Sequence, residues 1–245
     1  MMPGKRARTA LEVVALLAPP AVMALCGLFG YSRFALFSLI VVAASVVIFL
    51  VGYDRSRPAA SELVPITVLA AVAVAGRVLF APIPSFKPVS AVTIIAGVVF
   101  GRRSGFMVGA LAGLVSNFFF GQGPWTPWQM YAWGVIGYLA GLLAQAGAFE
   151  RRPLLLVYGV ASGLLYGFIL NMWSIVGFFH PQDAAQFLAL LAAAVPLDVL
   201  HGVATAIFLF IVYYPWHRKF ERVKRKYGFG ESPAGRFDRT HDAPR

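Results

Sequence analysis

Eight apolar stretches separated by short connections constrain the fold of this chain more than any other feature. They cover residues 10–30, 34–52, 61–81, 87–101, 104–121, 127–148, 153–179 and 187–214. A helix needs about 20 apolar residues to cross a bilayer, and a spanning segment must satisfy its own backbone hydrogen bonds. The pattern therefore predicts an all-α integral membrane protein with eight spans, of which the fourth and fifth are short.

Composition agrees with this prediction and excludes several other protein classes. Hydrophobic residues make up 59% of the 245 residues and charged residues only 13%, whereas a soluble domain is about 25% charged. The net charge of +11 comes from basic residues between apolar stretches and at the C-terminus, a distribution typical of a protein in the lipid bilayer and not of a nucleic-acid binder. A single cysteine, Cys26, excludes an intramolecular disulfide and a Cys-rich metal site, and we expect no cofactor.

The distribution of Lys and Arg predicts the orientation in the membrane, because cytoplasmic loops are enriched in basic residues. Alternate connections are basic, whereas the others hold only Arg33 and Lys87. We therefore expect a multi-pass protein of the plasma (inner) membrane with both termini cytoplasmic. The external connections would be 30–33, 82–88, 121–127 and 180–186. The basic residues assigned to the cytoplasmic side are Lys5, Arg6, Arg8, Arg55, Arg57, Arg102, Arg103, Arg151, Arg152, Arg218, Lys219, Arg222, Lys224, Arg225 and Lys226.

A basic linker at 52–61 divides the chain into parts of different composition. Residues 1–60 hold two transmembrane helices of plain composition and the linker, whereas most of the intramembrane polar residues lie in 61–214. We predict a six-helix membrane core over 61–214, preceded by the two extra helices. The tail, 215–245, is basic and then rich in Gly, Pro and Asp, and we expect disorder beyond about residue 228.

Uncharged aromatic and amide side chains gather near the predicted external ends of the core helices. Three tryptophans fall within nine residues of each other, together with two glutamines. Interfacial belts attract tryptophan, but this density favours stacking surfaces for a flat ligand. The predicted substrate-binding residues are Phe86, Asn117, Gln122, Trp125, Trp128, Gln129, Trp133, Asn171, Trp173, Asp198 and His201.

Asp198 is the acid that lies deepest in a predicted span, and His201 follows three residues later on the same helix face. Ionisable residues within a bilayer are costly and usually face the protein interior. Two interpretations stay open. Asp198 and His201 could line a polar cavity and bind a ligand or a coupling proton, or Asp198 could form a structural pair with Arg77.

Small residues recur at four-residue spacing on three segments. Ala71 and Ala75 lie on the third span, and two glycine series lie on later spans. Such strips allow close helix approach, either within the chain or against another membrane subunit. The glycine series are Gly97, Gly101, Gly105, Gly109 and Gly113, then Gly159, Gly163 and Gly167.

Residues 61–214 resemble the substrate-capture (S) component of energy-coupling factor (ECF) vitamin transporters. The resemblance is carried by 86–91 (FKPVSA) and 116–130 (SNFFFGQGPWTPWQM), followed by 132–134 (AWG). It implies that Ala71 and Ala75 dock a transmembrane coupling subunit and that the external loops cover a vitamin-like small molecule. The 116–130 segment is similar to S components for corrinoids, so a cobalamin-like cargo is favoured, although the Trp-rich segment also suits a flavin or a modified base.

The chain has no phosphate-binding glycine loop, no Gly-x-Ser-x-Gly and no His-Glu-x-x-His. We therefore expect no enzyme activity, and the resemblance implies two separate ATP-binding subunits that supply ATP hydrolysis. The alternative is a stand-alone secondary transporter that uses Asp198 or His201 as a proton carrier. The two N-terminal helices depart from the six-helix family core.

Overall fold

The computed structural model describes residues 5–29, 34–54 and 60–227, and these residues form eight α-helices without a strand. A 3-10 turn at Ala148–Glu150 precedes the seventh helix, and a π-helical segment at Ile175–Phe179 follows it. The helices coincide with the eight predicted apolar stretches to within a few residues, except that the first helix begins at Lys5 and the last helix continues into the basic tail. The helices are α1 (Lys5–Phe29), α2 (Phe34–Asp54), α3 (Ala60–Leu79), α4 (Val89–Phe100), α5 (Arg102–Phe120), α6 (Trp125–Gln145), α7 (Arg152–Ser174) and α8 (Ala184–Tyr227).

Four of these helices contain a stretch that is long and apolar enough to cross a membrane. The stretches are Leu36–Tyr53, Arg102–Phe120, Arg152–Phe179 and Ala184–Val223. Shorter apolar stretches occur at Thr9–Leu25, Leu63–Leu79 and Val89–Phe100. The chain is therefore a multi-pass helical membrane protein. The loop at 30–33, residues 55–59 of the predicted linker and the disorder expected beyond 228 lie outside the described residues.

Glycines bring α6 into backbone contact with α4 and α5. A Cβ added at Gly97 would lie 2.1 Å from the Gly137 carbonyl oxygen, and one at Gly109 would lie 2.4 Å from the Trp133 carbonyl carbon. These distances leave no room for a side chain. The glycine series is not one helix face, because Gly101 has a φ of +91° and separates α4 from α5. Both helices together present the small-residue surface that α6 occupies.

The second glycine series packs within the chain. A Cβ at Gly163 would lie 2.2 Å from the Gly202 backbone nitrogen of α8, and Gly159 faces Ala206 on the same helix. Of the two interpretations of this strip, the structure supports close packing of α7 on α8.

Helices α1 and α2 pack against α5, α6 and α7 as part of the same helical body. The Phe49 ring of α2 stacks on the Phe106 ring of α5 with centroids 3.8 Å apart. The Tyr131 hydroxyl of α6 donates to the Leu16 carbonyl oxygen of α1. The two N-terminal helices therefore cover one face of the core instead of standing apart from it.

A buried carboxylate of α1 compensates the arginines that begin α5. Glu12 is only 7% exposed, and its Oε1 accepts a hydrogen bond of 2.5 Å from Arg103 Nε. Its Oε2 accepts one of 2.8 Å from the Tyr138 hydroxyl and lies 3.4 Å from Arg102 Nη2. Sequence analysis overlooked this acid, although it lies within the predicted span 10–30.

We predict that Glu12→Gln destabilises the protein while leaving its helix content intact. Removing the carboxylate leaves two partly buried guanidinium groups without a counter-charge, which costs about 1–3 kcal/mol. The melting temperature of the purified protein in detergent should fall by about 3–10 °C, as followed by circular dichroism. Glu150→Gln, at an exposed acid, is the matched control and should melt like the parent. An unchanged melting temperature for Glu12→Gln would contradict this role.

The contact between α7 and α8 gives a second stability prediction. Gly163→Ala places a methyl group against the Gly202 backbone, so the helices must separate, at a cost of about 1–3 kcal/mol. Gly52→Ala is the control, because a Cβ there meets nothing within 4 Å and alanine favours a helix over glycine. We expect Gly163→Ala to melt well below Gly52→Ala. Equal melting temperatures of the two variants would contradict the close packing of α7 on α8.

Candidate functional site

Polar and aromatic side chains from six helices meet near one end of the core. We call this the capped end, because it carries the connections 80–88, 121–124 and 180–183. The site lies where the C-terminal ends of α3 and α5 approach the first turns of α4 and α6. The side chains that form it, here named the Arg77 cluster, are Arg77, Ser90, Ser116, Asn117, Thr126, Gln129, Trp133, Tyr166 and His201.

Arg77, in the last turn of α3, is the centre of the cluster. Its Nη1 donates to Ser116 Oγ at 2.5 Å and to Asn117 Oδ1 at 2.8 Å. The guanidinium carbon lies 4.7 Å from the centroid of the Phe120 ring and 5.0 Å from that of the Trp133 ring. Both distances are within the range of a cation–π interaction.

The Asn117 side chain ties the end of α5 to the start of α6. It is 1% exposed, and its Nδ2 donates to Thr126 Oγ1 at 3.0 Å and to Gln129 Oε1 at 2.8 Å. Thr126 in turn donates to Gln122 Oε1 at 2.9 Å. These bonds fix the 121–124 connection above the cluster, because amide and hydroxyl groups buried at a helix junction need partners.

Aromatic contacts connect α6, α7 and α8 within the cluster, and a hydrogen bond connects α8 to α4. The Trp133 and Tyr166 rings stack with centroids 4.7 Å apart, and Tyr166 lies 4.9 Å from the His201 ring. His201 Nε2 is hydrogen-bonded to Ser90 Oγ at 2.9 Å. Hydrogen bonds and ring contacts thus link all six helices.

One donor in this cluster is buried without a partner. Trp133 is 3% exposed, and its Nε1 has no hydrogen bond among the described residues. Buried polar groups in native proteins are nearly always paired, and an unpaired one costs about 1–3 kcal/mol. An acceptor on a bound molecule would satisfy this indole N–H.

The 80–88 connection closes the cluster from the side of α3. Lys87 Nζ donates to the carbonyl oxygens of Phe80 and Ile83 at 3.0 and 2.6 Å. Burial, and to a smaller extent the Arg77 guanidinium, lower the pKa of Lys87 below its ordinary value. Phe86 packs between Phe80 and the Phe208 ring of α8, which holds this connection against the core.

The structure brings four of the predicted site residues into this cluster: Asn117, Gln129, Trp133 and His201. Gln122 and Trp125 lie directly above it, and Trp125 is 39% exposed where it covers Gly123. Phe86 lies beside the cluster under the 80–88 connection.

Trp128 and Trp173 occupy a different environment from the one expected. Trp128 is fully buried and stacks on Trp173 at 6.5 Å, within a core that includes Met23 of α1 and Val42 of α2. Trp128 therefore presents no exposed ring in this structure, because residues of α1 and α2 belong to the core that surrounds it. A ligand contact at Trp128 stays a prediction.

Asp198 and His201 serve different contacts, although they share a helix. Asp198 Oδ2 accepts a hydrogen bond of 2.8 Å from Asn171 Nδ2 and lies against Gly167. It does not pair with Arg77, so the structural pair considered from the sequence is not formed. A proton-carrier role for Asp198 or His201 stays a prediction.

A second feature, an apolar groove of about 900 Å³, runs between α3 and α8 over α4. Ala71 and Ala75 lie in it and are exposed. Its other lining residues are Val72, Val74, Gly76, Val78, Leu79, Pro88, Ala91, Val92, Ile95, Val115, Phe119, Phe208, Val212 and Trp216. None of them belongs to α1 or α2, so the N-terminal helices leave this face uncovered.

Sequence analysis missed Ser90, Thr126 and Tyr166 and misassigned Arg77. Serine, threonine and tyrosine are too common in helices to mark a site by themselves. Arg77 carried a usable signal, because a basic residue near the predicted external end of an apolar helix runs against the positive-inside rule.

Comparison with protein families gives one informative result. The family model described as ECF-type riboflavin transporter, S component, matches residues 57–216. The match covers more than half of the chain and spans α3 to α7 and most of α8, whereas α1 and α2 lie outside it. Comparison with curated proteins and with solved structures gives no significant match. The chain belongs to the family of ECF-type riboflavin transporter S components and is a transporter subunit, not an enzyme.

Proposed function

We propose that this S component captures a flat, vitamin-like solute in the Arg77 cluster and delivers it through an ATP-driven ECF importer. The observation that carries the proposal is the convergence of side chains from six helices on one buried site that retains the unpaired Trp133 N–H. Convergent polar groups beside aromatic rings are typical of small-molecule sites. The exposed Trp125 and Phe120 rings at the capped end would offer the first contact to an arriving ligand.

The family name favours a flavin as the cargo. Trp133 and Tyr166 provide stacked rings, against which a planar heterocycle can pack. The cobalamin-like cargo favoured from the sequence stays a prediction, and it belongs in the same binding tests because a corrin ring is also broad and flat.

The capped end would face the outside of the cell and both termini the cytoplasm. The opposite end of the core carries Arg102, Arg103, Arg151 and Arg152, as expected for a cytoplasmic side. In this proposal, residues 61–214 form the substrate-binding core, 1–60 an added two-helix unit and 215–245 a basic tail.

The groove along α3 would receive a transmembrane coupling subunit. Ala71 and Ala75 lack bulk, which permits a foreign helix to approach the α3 backbone. The absence of a P-loop in the sequence fits an assembly in which two ATP-binding subunits drive the cycle.

Transport assays distinguish this function from proton-coupled transport by the chain alone. Proteoliposomes that contain the chain together with a coupling subunit and two ATP-binding subunits should accumulate riboflavin when ATP is enclosed. The chain alone should bind riboflavin without accumulating it, with or without a pH gradient. Uptake by the chain alone, driven by a pH gradient and lost in Asp198→Asn, would contradict the proposal and support the secondary transporter.

A bulky side chain in the groove tests the docking surface. Ala71→Trp should weaken complex formation with the coupling subunit by at least about tenfold, equivalent to roughly 1.4 kcal/mol, while vitamin binding by the chain alone is unchanged. Ala161→Trp makes the same change at an exposed alanine of α7 outside the groove. Pull-down with a tagged coupling subunit measures both variants. Normal complex formation by Ala71→Trp would exclude this strip as the interface.

A further inference from the structure

Arg77 is a partly buried cation without a counter-charge in the part of the chain that the structure describes. The ion pairs found there join Arg102 and Arg103 to Glu12, and Arg77 instead bonds to the neutral Ser116 and Asn117. Burial of a charge is costly unless it is paired. Neutral acceptors and two ring faces therefore leave the charge of Arg77 only partly compensated.

Most of the hydrogen-bonding capacity of Arg77 is also unused. A guanidinium carries five N–H donors, and Nη1 makes both of the side-chain hydrogen bonds found among the described residues. The Trp133 ring lies 5.0 Å from the guanidinium carbon, and its Nε1–H has no partner. Arg77 and Trp133 thus both have N–H groups without an acceptor, and no carboxylate is among their partners. This arrangement suits a ligand that is rich in hydrogen-bond acceptors.

Other groups near Arg77 add positive charge to this region. Lys87 is close enough for the Arg77 guanidinium to affect its pKa, and its ammonium is held by backbone carbonyl groups, which are neutral. Asp198, one turn before His201 on α8, bonds to Asn171. Arg77 and Lys87 therefore give the immediate surroundings of the cluster a positive charge, which favours an anion over a neutral solute, whereas Asp183 of the 180–183 connection accepts a hydrogen bond from the Gln186 backbone N–H.

The structural role of Arg77 does not explain this arrangement. A basic residue in the last turn of a helix stabilises the helix dipole, but the Lys87 ammonium already binds the carbonyl groups that follow α3. A packing role would be served by an apolar residue between Phe120 and Trp133 without the cost of burying a charge.

We propose that the cargo of this S component carries an anionic group, a carboxylate or a phosphate, that is bound by the Arg77 guanidinium and the Trp133 indole N–H. This inference rests on the proposed function and extends it by naming the charge of the substrate. Arginine binds both groups well, because its planar fork matches two oxygens of a carboxylate or phosphate.

Matched pairs of compounds test the charge of the ligand on the unmodified protein. Riboflavin and riboflavin 5′-phosphate differ by a phosphate, and cobinamide and cobyric acid differ in whether one side chain ends in an amide or a carboxylate. Calorimetric titration of the purified full-length chain should show at least about tenfold tighter binding of the anionic member of one pair. That preference should shrink as salt rises, because charge–charge attraction is screened.

A pair of variants tests whether Arg77 causes the preference for the anionic compound. Arg77→Met keeps an unbranched apolar stem and removes the charge, and it should weaken binding of the anionic compound about 10- to 100-fold, in line with a charged hydrogen bond. Binding of the neutral member should weaken by a clearly smaller factor, because that compound loses no charged contact. Arg152→Met is the control, because Arg152 also lies over two aromatic rings, those of Phe210 and Tyr214, at a distance from the cluster. Arg77→Lys should restore part of the preference.

The outcomes separate this inference from the proposed function. Equal binding of the neutral and anionic members by the parent protein would overturn the inference and leave the vitamin-capture function standing. An equal loss for both members in Arg77→Met would also overturn it, since Arg77 would then act through the fold alone. Failure of all four compounds to bind would overturn the proposed function and this inference together.

Discussion

Backbone contact between α6 and the glycine surface of α4 and α5 is the constraint on which the rest of the structure depends. Gly97 and Gly105 each face Gly137, and Gly109 faces the backbone of Trp133. Larger residues at these positions would push α6 outward and carry Trp133 away from Arg77 and Tyr166. The same contact that packs the core thus sets the position of the aromatic ring at the centre of the candidate site.

Partly buried arginines at the two ends of the core have different partners. At one end Arg102 and Arg103 share the Glu12 carboxylate, which belongs to the added helix α1. At the capped end Arg77 has neutral partners and aromatic faces. Because the surroundings have a low dielectric constant, the ion pairs with Glu12 hold α1 against α5. At the capped end, the same surroundings would strengthen the attraction between Arg77 and a negatively charged ligand.

The sequence predicted the helices well, because the length and hydropathy of a spanning segment are dictated by the bilayer. It also singled out Asn117, Gln129, Trp133 and His201, which the structure brings into one cluster, since polar side chains in apolar helices face the protein interior. It did not predict the surroundings of Trp128 and Arg77, which depend on which helices are neighbours. The periodicity of one helix does not indicate which face of the core α1 and α2 cover. It also does not indicate whether Asp198 or Asn117 lies beside Arg77.

A structure of the chain with a bound vitamin would show directly where the ligand binds. We expect ligand density within hydrogen-bond distance of the Arg77 guanidinium and Trp133 Nε1, beneath the 80–88 and 121–124 connections. Arg77 should keep its contact with Asn117 or exchange it for the ligand, and the α3 groove should be free of vitamin. Density in the groove beside Ala71 and Ala75, with the Arg77 cluster unchanged and empty, would contradict the central claim.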